Sequence, residues 1–152
     1  MVKRICVNCG SNPGFKPCYM NMAKKLGQAI VDHGLDLVYG GADVGLMGEV
    51  ANTVLKGKRA VIGVIPKSFA DKVSHQGLTE LHVVDSMHER KTMMFDLSDA
   101  FVALPGGFGT RRHTCDHERA LGGCTGWRWG RQPWGGLGCV NACMGKQNAT
   151  QT

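Results

Sequence analysis

The residues Pro105-Gly106-Gly107-Phe108-Gly109-Thr110 follow directly on an apolar run, residues 100–104. The run reads as a buried strand. A glycine-dense turn at the end of a buried strand is where an α/β protein holds a phosphate, because glycine lets the backbone approach an anion and turn its N–H groups toward it. A chain carrying such a turn needs further strands to bury that one, so the residues before it must supply a sheet.

They do. Residues 3–7 read as a first strand and residues 8–14 as a turn-rich loop. Pro17 suits the first turn of a helix, along which Tyr19, Met22, Ala23, Leu26 and Ile30 recur at three- and four-residue steps. Gly34 stops it. Residues 35–39 form a second strand that ends in Gly40-Gly41-Ala42-Asp43-Val44-Gly45. A helix over 46–56 follows, capped by Gly57. Residues 60–65 form a third strand closed by Pro66, and residues 67–80 a polar loop with room for one helical turn. A fourth strand covers 81–84. Asp85 or Ser86 caps a helix running to about Leu97, and residues 99–104 form the fifth strand.

This order, with apolar strands bounded by glycines, implies a mostly parallel sheet with helices on both faces. Ligands in such folds sit beyond the carboxyl ends of the strands. Three loops meet that description, 9–14, 40–45 and 105–110, and all are glycine-rich. They supply the candidate phosphate- and nucleotide-binding residues Gly10, Ser11, Gly40, Gly41, Gly106, Gly107, Gly109 and Thr110. Any one of them could be no more than a tight βα turn; three at matching positions favour an anion site. No G-x-G-x-x-G follows the first strand and no acidic residue ends the second, which disfavours a dinucleotide, and the P-loop pattern is absent. A mononucleotide or sugar phosphate fits best.

A second stretch, Met87-His88-Glu89-Arg90-Lys91-Thr92-Met93-Met94, puts Met87, Arg90, Lys91 and Met94 on one helix face. Methionines there argue that the face is buried or lines a pocket. Two readings of the cations stay open: they lie on the solvated edge of a core-facing helix, or they meet an anion, for which Arg90 offers a planar fork. Glu49 reads as a solvated helix carboxylate. His33, His75 and His82 have no metal-ligand spacing and read as surface or loop histidines.

The net charge of +6 divides unevenly: residues 1–110 carry about +2 and residues 111–152 about +4. A near-neutral globular part disfavours nucleic acid as partner. No 18-residue apolar run spans a membrane, and the N-terminus has no signal-peptide core, so a cytoplasmic protein is expected. Cys6-x-x-Cys9 lies partly within a strand and no second CxxC completes a zinc site. Small buried or loop cysteines are the expectation, with no metal.

Three stretches, Tyr39-Gly40-Gly41-Ala42-Asp43-Val44-Gly45-Leu46-Met47-Gly48, Met87-His88-Glu89-Arg90-Lys91 and Pro105 to Thr110, together resemble the LONELY GUY (LOG) family of cytokinin riboside 5'-monophosphate phosphoribohydrolases, whose bacterial members often carry the label "possible lysine decarboxylase". The resemblance covers residues 1–110. It implies a Rossmann-like fold and a homodimer with the active site near the dimer interface. The implied reaction is hydrolysis of the N-glycosidic bond of N6-modified adenosine 5'-monophosphates, or of AMP, without a cofactor. It also implies that the glycine loop and Thr110 hold the phosphate, that Arg90 is catalytic with Lys91 beside it, and that Met87 is part of the binding motif. Lysine decarboxylase chemistry is disfavoured, since no pyridoxal-lysine context is seen. The family motif continues Pro-Gly-Gly-x-Gly-Thr-x-x-Glu; here His113 stands in the glutamate's place. Histidine can move a proton but supplies no fixed negative charge, so turnover is expected to be impaired. Two rivals are an AMP nucleosidase and a non-catalytic nucleotide-binding module.

From Arg111 the composition changes. Residues 111–152 have no Ile, Phe or Tyr, all three Trp, four of the seven Cys and five Arg. They show no helical or alternating period, and too little apolar surface to offset their ordering entropy. They read as an aberrant tail, out of frame after the Thr110 codon, so the C-terminal part of the fold is truncated or divergent. The alternative is a genuine tail with a metal or nucleic-acid role.

Overall fold

The computed structural model describes residues 1–14, 16–104, 106, 110 and 112, and the backbone of 130–131, 137–138 and 143–144. The expected elements form in the expected order. Strands β1 (Arg4–Asn8), β2 (Asp36–Tyr39), β3 (Val61–Pro66), β4 (Glu80–Val84) and β5 (Ala100–Ala103) alternate with helices α1 (Pro17–Asp32), α2 (Gly45–Lys56), α3 (Lys67–Val73) and α4 (Met87–Asp96), with β3, α3 and β4 consecutive. Strands β1 to β5 pair in parallel throughout. The fold is a Rossmann-like α/β sheet, as expected.

Period-two alternation sorts the strand side chains onto two faces. Ile5, Val7, Leu37, Tyr39, Val61 and Val102 pack with Ala23 and Ile30 of α1 and with Leu46, Val50 and Val54 of α2. Cys6, Val38, Ile62, Val64 and Phe101 pack on the other face with Met94 of α4. The same alternation separates Cys6 from Cys9, which packs with the first cluster. Both thiols are desolvated by burial and pushed up to about 12. Neither has the thiolate character that redox chemistry needs, which supports the non-redox reading of Cys6-x-x-Cys9.

Local signals end the helices where the glycines predict. Pro17 opens α1, and Gly34 takes a left-handed φ of 67°, with its N–H donating to the Val31 carbonyl at 2.9 Å. At α4, Ser86 Oγ accepts from Glu89 N (3.1 Å) and the Glu89 carboxylate accepts from Asp85 N (2.9 Å). This is a capping box displaced by one residue.

One region differs from expectation. Residues 67–73 form helix α3 rather than a loop with one helical turn. None of its residues is buried, so it has no strong apolar stripe to betray it. In the tail, β6 (Gly130–Arg131) pairs with β7 (Leu137–Gly138), and β8 (Cys143–Met144) adds antiparallel to β5. The aperiodic sequence predicts none of these two-residue strands.

The sheet order is β4-β3-β2-β1-β5-β8. From β1 the chain runs outward through β2, β3 and β4, then returns to place β5 on β1's other side. That reversal opens a crevice at the carboxyl ends of β1 and β5, where Leu104 N donates to the Asn8 carbonyl at 2.9 Å.

Candidate active site

A cleft occupies this crevice and extends past the end of β2. It has two lobes that share Ser11, Gly40, Met47, Met87 and Arg90. The first, about 370 Å³, is walled by residues 8–12 after β1 and by Thr110. The second, about 420 Å³, is walled by Ala42, Val44, Ile65, Phe69 and Val73. One lobe is therefore rich in backbone and small polar groups and the other is apolar.

Arg90 stands between them. Its Nε donates to the Val64 carbonyl and its Nη2 to the Gly40 carbonyl, both at 2.9 Å, while Nη1 lies 3.6 Å from Met87 Sδ. Among the described residues no carboxylate pairs with it. Burial lowers its pKa from the ordinary guanidinium value, and the Cys6 thiol opposes that shift. Arginine stays charged regardless. A desolvated cation whose planar fork is held by two carbonyls is a pre-organised receptor for an anion.

The loops are shaped to admit this. A Cβ on Gly40 would overlap the Arg90 guanidinium, and one on Gly45, which has φ of 55°, would overlap the Ser11 carbonyl. The first and second glycine loops are thereby in backbone contact.

Of the residues expected from sequence, Gly10, Ser11, Gly40, Met87, Arg90 and Thr110 converge on the cleft. Gly106 lies beside it, its Cα 3.5 Å from where a Cβ on Gly10 would stand. Gly41 has φ of 76° and abuts Ile65 and Leu81, so it shapes the turn and does not line the cleft. Lys91 is half-buried on α4 and is not among the lining residues. Gly107, Gly109 and His113 lie outside the described residues. Sequence reasoning missed Asn8, Asn12 and Met47. The loop after β1 was the available signal for the two asparagines; Met47 gave none, being an ordinary apolar residue of a core helix.

His33 is exposed, its Nδ1 2.8 Å from the Ala29 carbonyl, and His82 is part-exposed near Glu80. His75 corrects the surface reading: its loop position holds, but it is 6% exposed. Glu49 is half-buried rather than fully solvated. Among the described residues no group of three or more His, Cys, Asp or Glu could hold a metal, and no helix is long and apolar enough to cross a membrane.

The sheet order places the cleft at the switch point of a parallel sheet, the position where folds of this class hold ligands. A family model described as "Possible lysine decarboxylase" matches residues 47–112. The chain is 53% identical over 110 residues to a cytokinin riboside 5'-monophosphate phosphoribohydrolase of Rhodococcoides fascians, covering 71% of this chain and 56% of that protein. It is 51% identical over 109 residues to the cytokinin riboside 5'-monophosphate phosphoribohydrolase LOG of Oryza sativa subsp. japonica, covering 71% and 45%. The structure resembles the molybdenum cofactor carrier protein of Chlamydomonas reinhardtii with a TM-score of 0.68 at 24% identity, over 79% of this chain and 73% of that one; at that identity the likeness shows the fold alone. The chain spans about half the length of the curated relatives it matches. Over the matched residues the chain is similar to the LONELY GUY phosphoribohydrolases, the family its motifs resemble.

Proposed function

We propose that this chain carries the nucleotide-binding part of a phosphoribohydrolase site. The reaction is hydrolysis of the N-glycosidic bond of N6-modified adenosine 5'-monophosphates, or AMP, to the free base and ribose 5-phosphate. The observation that carries this reading is the position of Arg90. It stands where a polar, glycine-rich lobe meets an apolar one, and a nucleoside monophosphate changes character in the same way at its glycosidic bond. Ribose 5-phosphate occupies the lobe formed by residues 8–12 and Thr110, with the glycines of the 105–110 loop supplying N–H groups to the phosphate. The purine occupies the apolar lobe.

Cleavage builds positive charge on the ribose and negative charge on the departing base. Arg90 stabilises the latter. A carboxylate beside the sugar would stabilise the former or activate water, and His113 stands where the family motif has its glutamate. Binding is retained and turnover is impaired. The protein acts in the cytoplasm on a small-molecule substrate as a homodimer, and residues 111–152 are an out-of-frame replacement for the helix that the glutamate opens.

Measuring AMP binding by calorimetry and adenine release by chromatography on the same sample tests this. Binding with little release, and release restored in a chain whose frame is corrected after Thr110 so that a glutamate stands at position 113, is the expected result. Absence of AMP binding overturns it. Comparing release from AMP and from an N6-modified analogue separates the cytokinin-activating enzyme from a plain AMP nucleosidase. The second reading, a nucleotide-binding module without turnover, is favoured by His113; it holds if the corrected chain also binds without release. Resequencing the codons for residues 109–115 tests the frame.

A further inference from the structure

We propose that His75 is a positioning residue for Arg90, acting through the glycine loop after β2. The proposal rests on the reading of Arg90 as the cation that meets the nucleotide. His75 is a buried ring in the connection between α3 and β4, and its partners come from three places. Nδ1 lies 2.6 Å from the Gln76 carbonyl. Nε2 faces Asn52 Oδ1 of α2 at 3.2 Å and Asp43 Oδ1 of the glycine loop at 3.5 Å. Asn52 Nδ2 in turn donates to the same Asp43 oxygen at 3.5 Å.

The backbone around the ring ties the same two segments together. Asp43 N donates to the Val73 carbonyl and His75 N to the Gly41 carbonyl, both at 2.9 Å, around an antiparallel bridge between Ala42 and Ser74. Residues 41–43 are therefore held to residues 73–75 by backbone, and both are held to α2 by the ring. Gly40, next in the chain, presents the carbonyl that accepts from Arg90 Nη2 at 2.9 Å. A shift of the 41–43 segment carries the Gly40 carbonyl with it, and the guanidinium follows. A charge-assisted hydrogen bond weakens steeply as its donor leaves the preferred geometry, so a displaced guanidinium holds an anion less tightly.

The test uses the full chain labelled with ¹⁵N, in which the Arg90 Nε–H signal is assigned by its loss in Arg90→Lys. His75→Leu keeps the bulk and removes every side-chain hydrogen bond. His75→Gln keeps an amide that can reach Asp43 and Asn52. In His75→Leu the Arg90 signal is expected to move and AMP affinity to fall about tenfold; in His75→Gln both return toward wild type. A folded His75→Leu protein with an unmoved Arg90 signal overturns the proposal, as does an equal loss in both variants, which would mark a packing role alone. If His75→Leu does not fold, Asp43→Asn at the half-exposed end of the cluster takes its place: a moved Arg90 signal supports the proposal and an unmoved one overturns it. Should the wild-type chain bind no AMP, the nucleotide reading fails, and the Arg90 signal still decides the role of His75.

Discussion

Arg90 Nη2 donates to the carbonyl of Gly40 at 2.9 Å, and a methyl group on Gly40 would occupy the space of that guanidinium. The two residues are 50 positions apart, and the absence of a side chain at one sets the location of the charge at the other.

Gly40→Ala is therefore expected to displace Arg90 with little disturbance of backbone conformation, because Gly40 is not among the positive-φ glycines. We expect a stability cost of about 1–3 kcal/mol from overpacking and a loss of about tenfold to 100-fold in AMP affinity from the misplaced charged donor. Denaturant unfolding and calorimetry measure the two. A near-normal affinity would show that the guanidinium need not sit where it does.

Arg90→Lys preserves charge and removes the fork. An ammonium cannot satisfy the Val64 and Gly40 carbonyls in one plane while facing a ligand. AMP affinity should fall by about tenfold or more, with about 1–3 kcal/mol of stability lost through the underserved carbonyls. Equal affinity in the lysine variant would reduce Arg90 to a point charge.

Ser86→Ala removes the acceptor of the Glu89 N–H at the start of α4. The expected cost is about 1 kcal/mol. Because the first turn of α4 carries Met87 and Arg90, AMP affinity should fall in parallel. Normal affinity in a destabilised variant would separate the cap from the site.

Alkaline pH should weaken the fold. Desolvation by burial raises the Cys6 and Cys9 thiols from the ordinary 9.0 to about 12, and burial also raises Tyr39. Between those thiol values the unfolded chain releases protons that the native chain keeps, so stability is fully present below pH 9 and falls as pH rises toward 12. Urea midpoints from pH 8 to 10.5 should decline, and less steeply in Cys6→Ala. A flat profile would mean that the thiols are better solvated than their burial implies. In the native state the fully buried Cys6 should also resist alkylation at pH 8.

Much of the fold was legible because β1 to β5 are short apolar runs and glycines mark the turns beside them. The two-faced sheet follows from alternation alone, which also explains why Cys6 and Cys9 do not form a redox pair. Helix α3 was not legible: none of its residues is buried, so no apolar stripe marks it in the sequence. At the site, the spacing on α4 put Met87, Arg90 and Met94 on one face without deciding whether the arginine met solvent, and the glycine-rich loops pointed to Gly10, Ser11 and Thr110, all of which line the cleft. His75 was not legible as a buried group, since Asp43 and Asn52, which satisfy it, are brought to it only by the β2–β3–β4 crossover. Lys91 shows the limit of helical periodicity, which places a residue on a face but not at the edge where the cleft begins.

The crossing of β5 back to β1 has a consequence in time. Asn8 pairs with Ala103 across the switch point, and the walls of the polar lobe come from the two ends of that interval. At ribosomal rates, roughly 5–20 s separate the synthesis of these strands. Until β5 has left the exit tunnel, the β1 edge that it pairs with has no parallel partner and the walls of the polar lobe cannot meet.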